Sequence, residues 1–334
     1  MSRVIDVPGS ADFESCHDEL NEFRRDVLAG LNKPQKQIQS KYFYDEHGSE
    51  LFNQITRHPD YYLTQCEIEI LNNCKNRLAR LLGSHPFNLV ELGPGEGIKT
   101  QLLINEFLHE SLNFNYLPID ISKKYLYMII NDFREKQPRL KLTPLHADYF
   151  RGLEWLRKNS QNRNLILFLG SSIGNFDPVI TLEFLHHLCN SLNPGDYVFL
   201  GFDLRKNVDV LMSAYDDIDG ITRDFNLNLL KRINRELNAD FNIEKFGHYA
   251  TYNVYTGAME SYLISMEPQI VTIEALEKSF SFDSIEPIHV EYSHKYLPSQ
   301  IDQLAQETGF VIVDKFTDSR NYFMDTLWQV KEQK

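Results

Sequence analysis

Between Asn88 and Phe202 short apolar runs alternate with amphipathic segments, and this rhythm restricts the chain more than any other feature. Asn88–Leu92, Tyr116–Ile119, Leu140–Leu145, Asn164–Leu169 and Tyr197–Phe202 read as strands. Thr100–Leu108, Lys124–Phe133, Leu153–Lys158 and Ile180–Leu192 carry helical spacing between them. Strands separated by helices need crossover connections, so the expected fold class is α/β, a doubly wound, mostly parallel sheet covered on both faces. Beyond Leu204 the rhythm breaks. A helical pattern (Phe225, Leu229, Ile233, Leu237) precedes β-like runs at Tyr249–Tyr255, Glu260–Ser265 and Ile288–His294, and sheet character returns at Val311–Val313 and Thr326–Val330. The nucleotide-type core is therefore expected to be interrupted after its fifth strand by an insertion. Upstream, Leu20, Phe23, Val27, Leu28 and Leu31 recur at helical spacing, and Thr64-x-x-Glu67 has the form of a capping box opening a helix.

Composition removes several functions. The net charge of −13, with no Lys/Arg run longer than two, disfavours a phosphate-tracking protein, so no nucleic acid is expected. The four cysteines form no Cys-x-x-Cys pair and the 11 histidines no His-Glu-x-x-His, so no metal site is expected. No apolar run approaches the ~20 residues that span a bilayer, and the first 20 residues lack a signal-type apolar core. The expectation is a soluble, cytoplasmic protein with no membrane partner; oligomeric state is left open, a monomer being compatible.

The strongest local motif is Glu91-Leu92-Gly93-Pro94-Gly95-Glu96-Gly97, where an apolar run turns into a helical pattern. Glycines permit a sharp turn and close approach of a ligand, and the next helix offers free N–H groups. The spacing is Gly-x-Gly-x-Gly rather than the dinucleotide Gly-x-Gly-x-x-Gly, and it resembles the first motif of class I methyltransferases. Asp120 and Asp148 end the second and third apolar runs, on the edge where the loop must lie. Carboxylates there suit ribose hydroxyls and an adenine amino group; the alternative is that each caps the following helix.

At the fourth strand the chain reads FLGSSIGNF, without the Asn/Asp-Pro-Pro-Tyr pattern of base-amino methylation. That segment, with KYFYDEHGSELFNQITRHPDYYLTQCE, AYDDIDGITRDFNLNLLKRINRELNADF and VEYSHKY, resembles the histidine Nα-methyltransferase family of ergothioneine biosynthesis, from about Phe23 to Trp328. The resemblance implies a Rossmann-like class I methyltransferase core over 64–203 and 296–334, with a second, substrate-binding domain from 1–63 and 204–295. It implies S-adenosylmethionine as cofactor, a small amino acid as partner, and conversion of L-histidine to its Nα-trimethyl betaine. By motif, Gly93, Lys99, Asp120, Asp148 and Tyr149 are the expected donor site. Tyr61, Phe52, Asn175, Tyr215, Glu291 and Ser293 are the expected amino-acid site, with Asn175 and Tyr44 orienting the amine as the catalytic pair. Glu291 and Ser293, two apart in a strand, share a face, and a carboxylate beside a hydroxyl can hold the two nitrogens of an imidazole. One departure stands out: the family often has methionine where Ser261 aligns, which leaves room for a different, aromatic amino acid. A catalytically silent S-adenosylmethionine-binding protein is the alternative from another class.

Overall fold

The computed structural model describes residues 3–7 and 13–331. In chain order the elements begin with β1 (Ile5–Asp6), α1 (Phe13–Leu31), α2 (Glu46–Arg57), α3 (Tyr62–Leu82), β2 (Phe87–Leu92), α4 (Ile98–His109), β3 (Phe114–Asp120) and α5 (Lys123–Lys136). There follow β4 (Lys141–Leu142), β5 (Leu145–His146), α6 (Tyr149–Asn159), β6 (Arg163–Phe168), α7 (Pro178–Ser191), β7 (Tyr197–Asp203), α8 (Val208–Tyr215) and α9 (Ile221–Leu237). The last are β8 (Phe246–Asn253), β9 (Ala258–Ser265), β10 (Gln269–Ile273), β11 (Lys278–Phe282), β12 (Glu286–His294), α10 (Pro298–Glu307), β13 (Phe310–Thr317) and β14 (Phe323–Val330). They fall into two compact units, one of residues 3–7, 65–204 and 296–331, the other of 13–64 and 205–295.

The first unit is the α/β core. Its main sheet runs β1-β5-β3-β2-β6-β7-β14-β13, with β4 beside β3. The pairs from β1 through β7 are parallel, whereas β14 runs antiparallel to both β7 and β13. Every residue of β2 and of β7 is buried, as central strands covered on both faces require. Strand order proceeds outward from β2 to β3 and β5 on one side, and from β6 to β7 on the other. The switch point therefore lies between the carboxyl ends of β2 and β6, where open α/β sheets bind ligands.

Three sequence expectations change here. The run Leu140–Leu145 is not one strand but β4 and β5, because Pro144 between them has no N–H for a ladder. Residues 3–7, expected in the substrate domain, belong to the core: Ile5 and Asp6 pair with Leu145 and His146, and the Asp6 carboxylate takes Lys123 Nζ at 2.9 Å and lies 2.9 Å from His146 Nδ1. Thr64-x-x-Glu67 is not a capping box, since α3 already starts at Tyr62 and Glu67 is fully buried.

The second unit packs a three-stranded antiparallel sheet, β12-β9-β8, and the β10-β11 hairpin with α1, α2, α8 and α9. Its apolar centre joins Phe23 and Val27 of α1, Leu229 and Ile233 of α9, Leu263 of β9 and Ile288 of β12. Within residues 41–67 the aromatic stretch forms α2. Asp45 caps it, accepting the Gly48 N–H at 2.7 Å, and also takes Asn228 Nδ2 at 2.7 Å and Arg235 Nη2 at 2.6 Å from α9.

Candidate active site

On the core, the expected donor residues collect at the carboxyl edge. β2 ends at Leu92, and the chain passes through Gly93 (φ +68°), Gly95 (+54°) and Gly97 (+71°) into α4. Gly97 is the N-cap of α4 and supplies no side chain, so the first N–H groups of that helix are not covered by a capping side chain. Gly93 is demanded twice over: by its left-handed backbone and because a Cβ there would stand 2.8 Å from the Tyr149 hydroxyl. Tyr149 opens α6 and packs edge-on against Phe168, with ring centroids 5.7 Å apart.

Asp120 closes β3. It is nearly buried, its Oδ1 takes the Ser122 N–H at 2.7 Å, and burial pushes its carboxyl up to about 6 against that hydrogen bond. Asp148 is half-exposed and caps α6: Oδ1 accepts the N–H groups of Phe150 and Arg151 at 3.1 and 3.0 Å, and Oδ2 lies 3.2 Å from Arg151 Nε. Glu91, the acid before the loop, points inward. It accepts from the Thr100 hydroxyl and from Tyr116 at 2.5 Å, and burial raises its carboxyl to about 7. It is a strut joining β2, β3 and α4.

Lys99 does not point freely at the loop. Its ammonium donates to Glu67 Oε2 at 2.6 Å, and the same carboxylate takes the Gly170 N–H at 2.8 Å (Oε1) and 3.0 Å (Oε2). Asp325 of β14 is the neighbouring buried acid; burial and the Glu67 charge hold its carboxyl well above the usual range. Gly201 makes the space for the two: a Cβ there would lie 2.6 Å from Glu67 Oε1 and 3.1 Å from Asp325 Oδ1. Glu67 thus ties the first turn of α4 to the loop after β6, a role the sequence did not signal.

That loop turns through Gly170 (φ +77°) and Ser171 (φ +56°) into one 3₁₀ turn, Ser172–Asn175. The Ser171 hydroxyl accepts the Asp203 N–H at 2.9 Å, and its carbonyl takes the Gly174 N–H at 2.8 Å. Asn175 is half-buried, and its amide hydrogen-bonds no described residue. Gly93 and Asn175 therefore follow the carboxyl ends of adjacent parallel strands, at one edge of the sheet.

In the second unit, residues distant in sequence form one continuous aromatic run. Tyr44 lies edge-on to Phe52 at 5.4 Å, Phe52 to Tyr61 at 6.4 Å, and Tyr61 is 6.4 Å from Tyr215 between ring centroids. The Tyr215 hydroxyl then meets Ser293 Oγ at 2.7 Å. Phe225 of α9 backs the start of the run, 5.7 Å from Tyr44 and 5.8 Å from Phe52. Two members are held from behind at the backbone. His58 Nδ1 takes the Asp60 N–H at 3.2 Å just before Tyr61. His248 Nε2 lies 3.0 Å from the Tyr215 carbonyl, a contact that puts the hydrogen on that nitrogen, and burial lowers the His248 pKa.

Glu291 and Ser293 lie on β12 beyond an irregularity between His289 and Glu291. Glu291 stands opposite Ser261 of β9, which stands opposite Ala250 of β8, so the cross-strand row beside the carboxylate is made of small side chains. Burial lifts the Glu291 carboxyl to about 7 despite the opposing charge of Lys295, and no described residue donates a hydrogen bond to it. Lys295 itself is almost wholly buried, 1% exposed, and its ammonium donates to the Tyr215 hydroxyl and to Ser293 Oγ, each at 2.7 Å. Sequence reasoning missed Lys295, Phe225 and Glu67, because each acts on a site residue carried by another element.

A sequence family described as histidine-specific, S-adenosylmethionine-dependent methyltransferase matches residues 23–330. This chain belongs to that methyltransferase family. Histidine N-alpha-methyltransferase of Mycobacterium tuberculosis is 35% identical over 300 residues, 90% of this chain and 92% of that protein. The protein of the same name from Mycolicibacterium smegmatis is 35% identical over 314 residues, 94% and 96% of the two chains. Ergothioneine biosynthesis protein 1 of Schizosaccharomyces pombe is 28% identical over 288 residues, covering 84% of this chain and 37% of the fungal protein. The methyltransferase depends on S-adenosylmethionine, and its core fits that group. The cradle at Gly93 is one a Cβ would fill, the first turn of α4 follows it, and the Asp120 carboxyl stands beside it at the end of the adjacent strand.

Proposed function

We propose that this methyltransferase transfers methyl groups from S-adenosylmethionine to the α-amine of L-histidine, in steps to the Nα-trimethyl betaine, opening ergothioneine biosynthesis. The observation that carries the substrate is Glu291, a half-buried carboxylate with no described donor, opposite the small Ser261. An imidazole N–H is a donor of the right kind for it.

The bound donor supplies an already activated methyl group, so this chain's residues have to bind, orient and exclude water. Holding a nucleophile in line is worth ~7–11 kcal/mol of barrier. In this reading the Gly93 cradle and Tyr149 bound the donor, Asp120 takes its ribose hydroxyls, and Asp148 adds an acceptor for the adenine amino group while capping α6. Lys99, engaged by Glu67, steadies the first turn of α4. Asn175 accepts an amine N–H through its amide oxygen, and the Tyr44 hydroxyl is assigned a contact of the same kind. Tyr61, Phe52 and Tyr215 enclose the amino acid, and Glu291 with Ser293 reads its ring. No strong base is assigned, since an α-amine of pKa ~8 has a usable neutral fraction near neutrality.

A panel of free amino acids, scored by mass spectrometry for successive methyl additions and for S-adenosylhomocysteine release, tests this. Histidine is expected to give mono-, di- and trimethyl products and the highest kcat/KM. A larger aromatic amino acid outrunning it would favour the second reading, which the small Ser261 beside Glu291 supports. The protein is expected to act alone on a small molecule; among the described residues no helix is long and apolar enough to cross a membrane.

A further inference from the structure

The buried ammonium of Lys295 is the feature the reaction does not use directly. It sits 4.5 Å from the Tyr215 ring centroid and donates to both hydroxyls of the Tyr215–Ser293 pair, which are themselves hydrogen-bonded at 2.7 Å. The proton inventory of that triad is constrained. An ammonium can only donate, and a serine hydroxyl has two acceptor positions and one proton. Between the two hydroxyls the phenol is the more acidic, and so the better donor. Ser293 Oγ then accepts twice, once from Lys295 and once from Tyr215. Its acceptor capacity is used up, and its own O–H is left to be donated.

We propose that Lys295 is a specificity-determining positioning residue: by saturating Ser293 as an acceptor, it forces that hydroxyl to donate, so that Ser293 and Glu291 together accept only a ring with one N–H and one bare nitrogen. The proposal rests on the histidine reading above and refines it. A serine freed from the ammonium accepts as readily as it donates, and beside the Glu291 carboxylate it would equally hold an imidazolium, whose two nitrogens both donate. Lys295 excludes that form, and its charge adds to the exclusion. The same logic disfavours an indole, which offers an N–H to Glu291 but no lone pair to Ser293. Discrimination thus comes from a residue that does not touch the ring, and it compensates for the apolar wall that Ser261 does not supply.

The test is ring-nitrogen NMR of isotopically labelled L-histidine bound to the full-length protein with S-adenosylhomocysteine, near neutral pH, for the parent and Lys295→Met. The parent is expected to show one protonated and one bare ring nitrogen. Lys295→Met is expected to move the bare-nitrogen signal toward the protonated position, to weaken histidine binding about 10-fold, and to narrow the preference for histidine over tryptophan by about the same factor. S-adenosylhomocysteine affinity should stay within about twofold, since no new unpaired group is created on the core. If Lys295→Met does not fold, Tyr215→Phe serves: it removes the second donor to Ser293 and should move the same signal in the same direction. Retention of two distinct ring nitrogens with unchanged affinity in either folded variant overturns the proposal. A parent that shows no bound ring overturns the histidine reading itself, and the role of Lys295 with it.

Discussion

In the proposed assignment the donor is held mainly by backbone and the amino acid by side chains. Gly93, Gly95 and Gly97 shape their loop with three left-handed residues inside a five-residue stretch. The proposed amino-acid site draws Tyr44, Phe52, Tyr61, Tyr215, Glu291 and Ser293 from separate segments of the second unit; the rings meet one another edge-on or tilted, and Tyr215 meets Ser293 through their hydroxyls. A backbone cradle tolerates change in most neighbouring side chains but none at the glycine whose Cβ would fill it. A side-chain site degrades by increments and can be retuned one residue at a time. Cofactor use should therefore be brittle at one position, whereas amino-acid preference should be graded across several.

The largest expected effect is at Gly93. Gly93→Val combines a left-handed backbone with a clash at Tyr149, and should cut S-adenosylhomocysteine affinity by about 100-fold or more, measured by calorimetry. A variant binding within a few-fold of the parent would erase the contrast between the two sides. Next is Glu291→Gln, expected to lower kcat/KM for histidine by about 10–100-fold while S-adenosylhomocysteine binding is unchanged. Equal losses for both ligands would show that the sites are not separable.

The same variant carries a pH signature. The Glu291 carboxyl is raised to about 7 in the folded protein, so the folded state holds that proton more tightly than the unfolded chain. Below the unfolded value near 4.5 the group is neutral in both states and contributes nothing, and the cost of burying its charge grows as pH rises through about 7. Glu291→Gln should therefore be more stable than the parent near pH ~8 by about 1–3 kcal/mol, with the difference gone near pH ~4. Urea denaturation at the two pH values checks the sign.

Glu67→Gln sharpens the comparison, because Glu67 supports the donor loop and the Asn175 loop at once. Loss of the carboxylate should lower kcat/KM about 10-fold, with parallel losses in both binding steps. The smallest effect belongs to Ser261→Met. An apolar wall restored beside Glu291 should shift the histidine-to-tryptophan ratio of kcat/KM by about 3–10-fold in favour of histidine, read from competition assays.

Much of the core was legible because its signals are local. β2, β3, β6 and β7 are apolar runs, and the glycine loop follows the first of them. Errors arose where a local signal met a longer-range demand. The Leu140–Leu145 run is apolar enough for a strand, but Pro144 divides its ladder. The Thr64-x-x-Glu67 spacing suits a helix start, yet Glu67 is withdrawn to serve Lys99 and Gly170, 32 and 103 residues away. α2 was hidden in an aromatic stretch whose side chains serve both a helix face and the run through Phe52.

Periodicity and glycine spacing, then, determined the strand alternation, the cofactor loop and the edge of the sheet at which it lies, because each depends on neighbours within a few residues. Only the tertiary structure decided that Ser293 has Lys295 and Tyr215 on its oxygen, that Glu291 lies opposite Ser261, and that one buried carboxylate supports two loops. Proton placement and burial of charge are properties of a surrounding shell, and that shell is drawn from residues no local pattern connects.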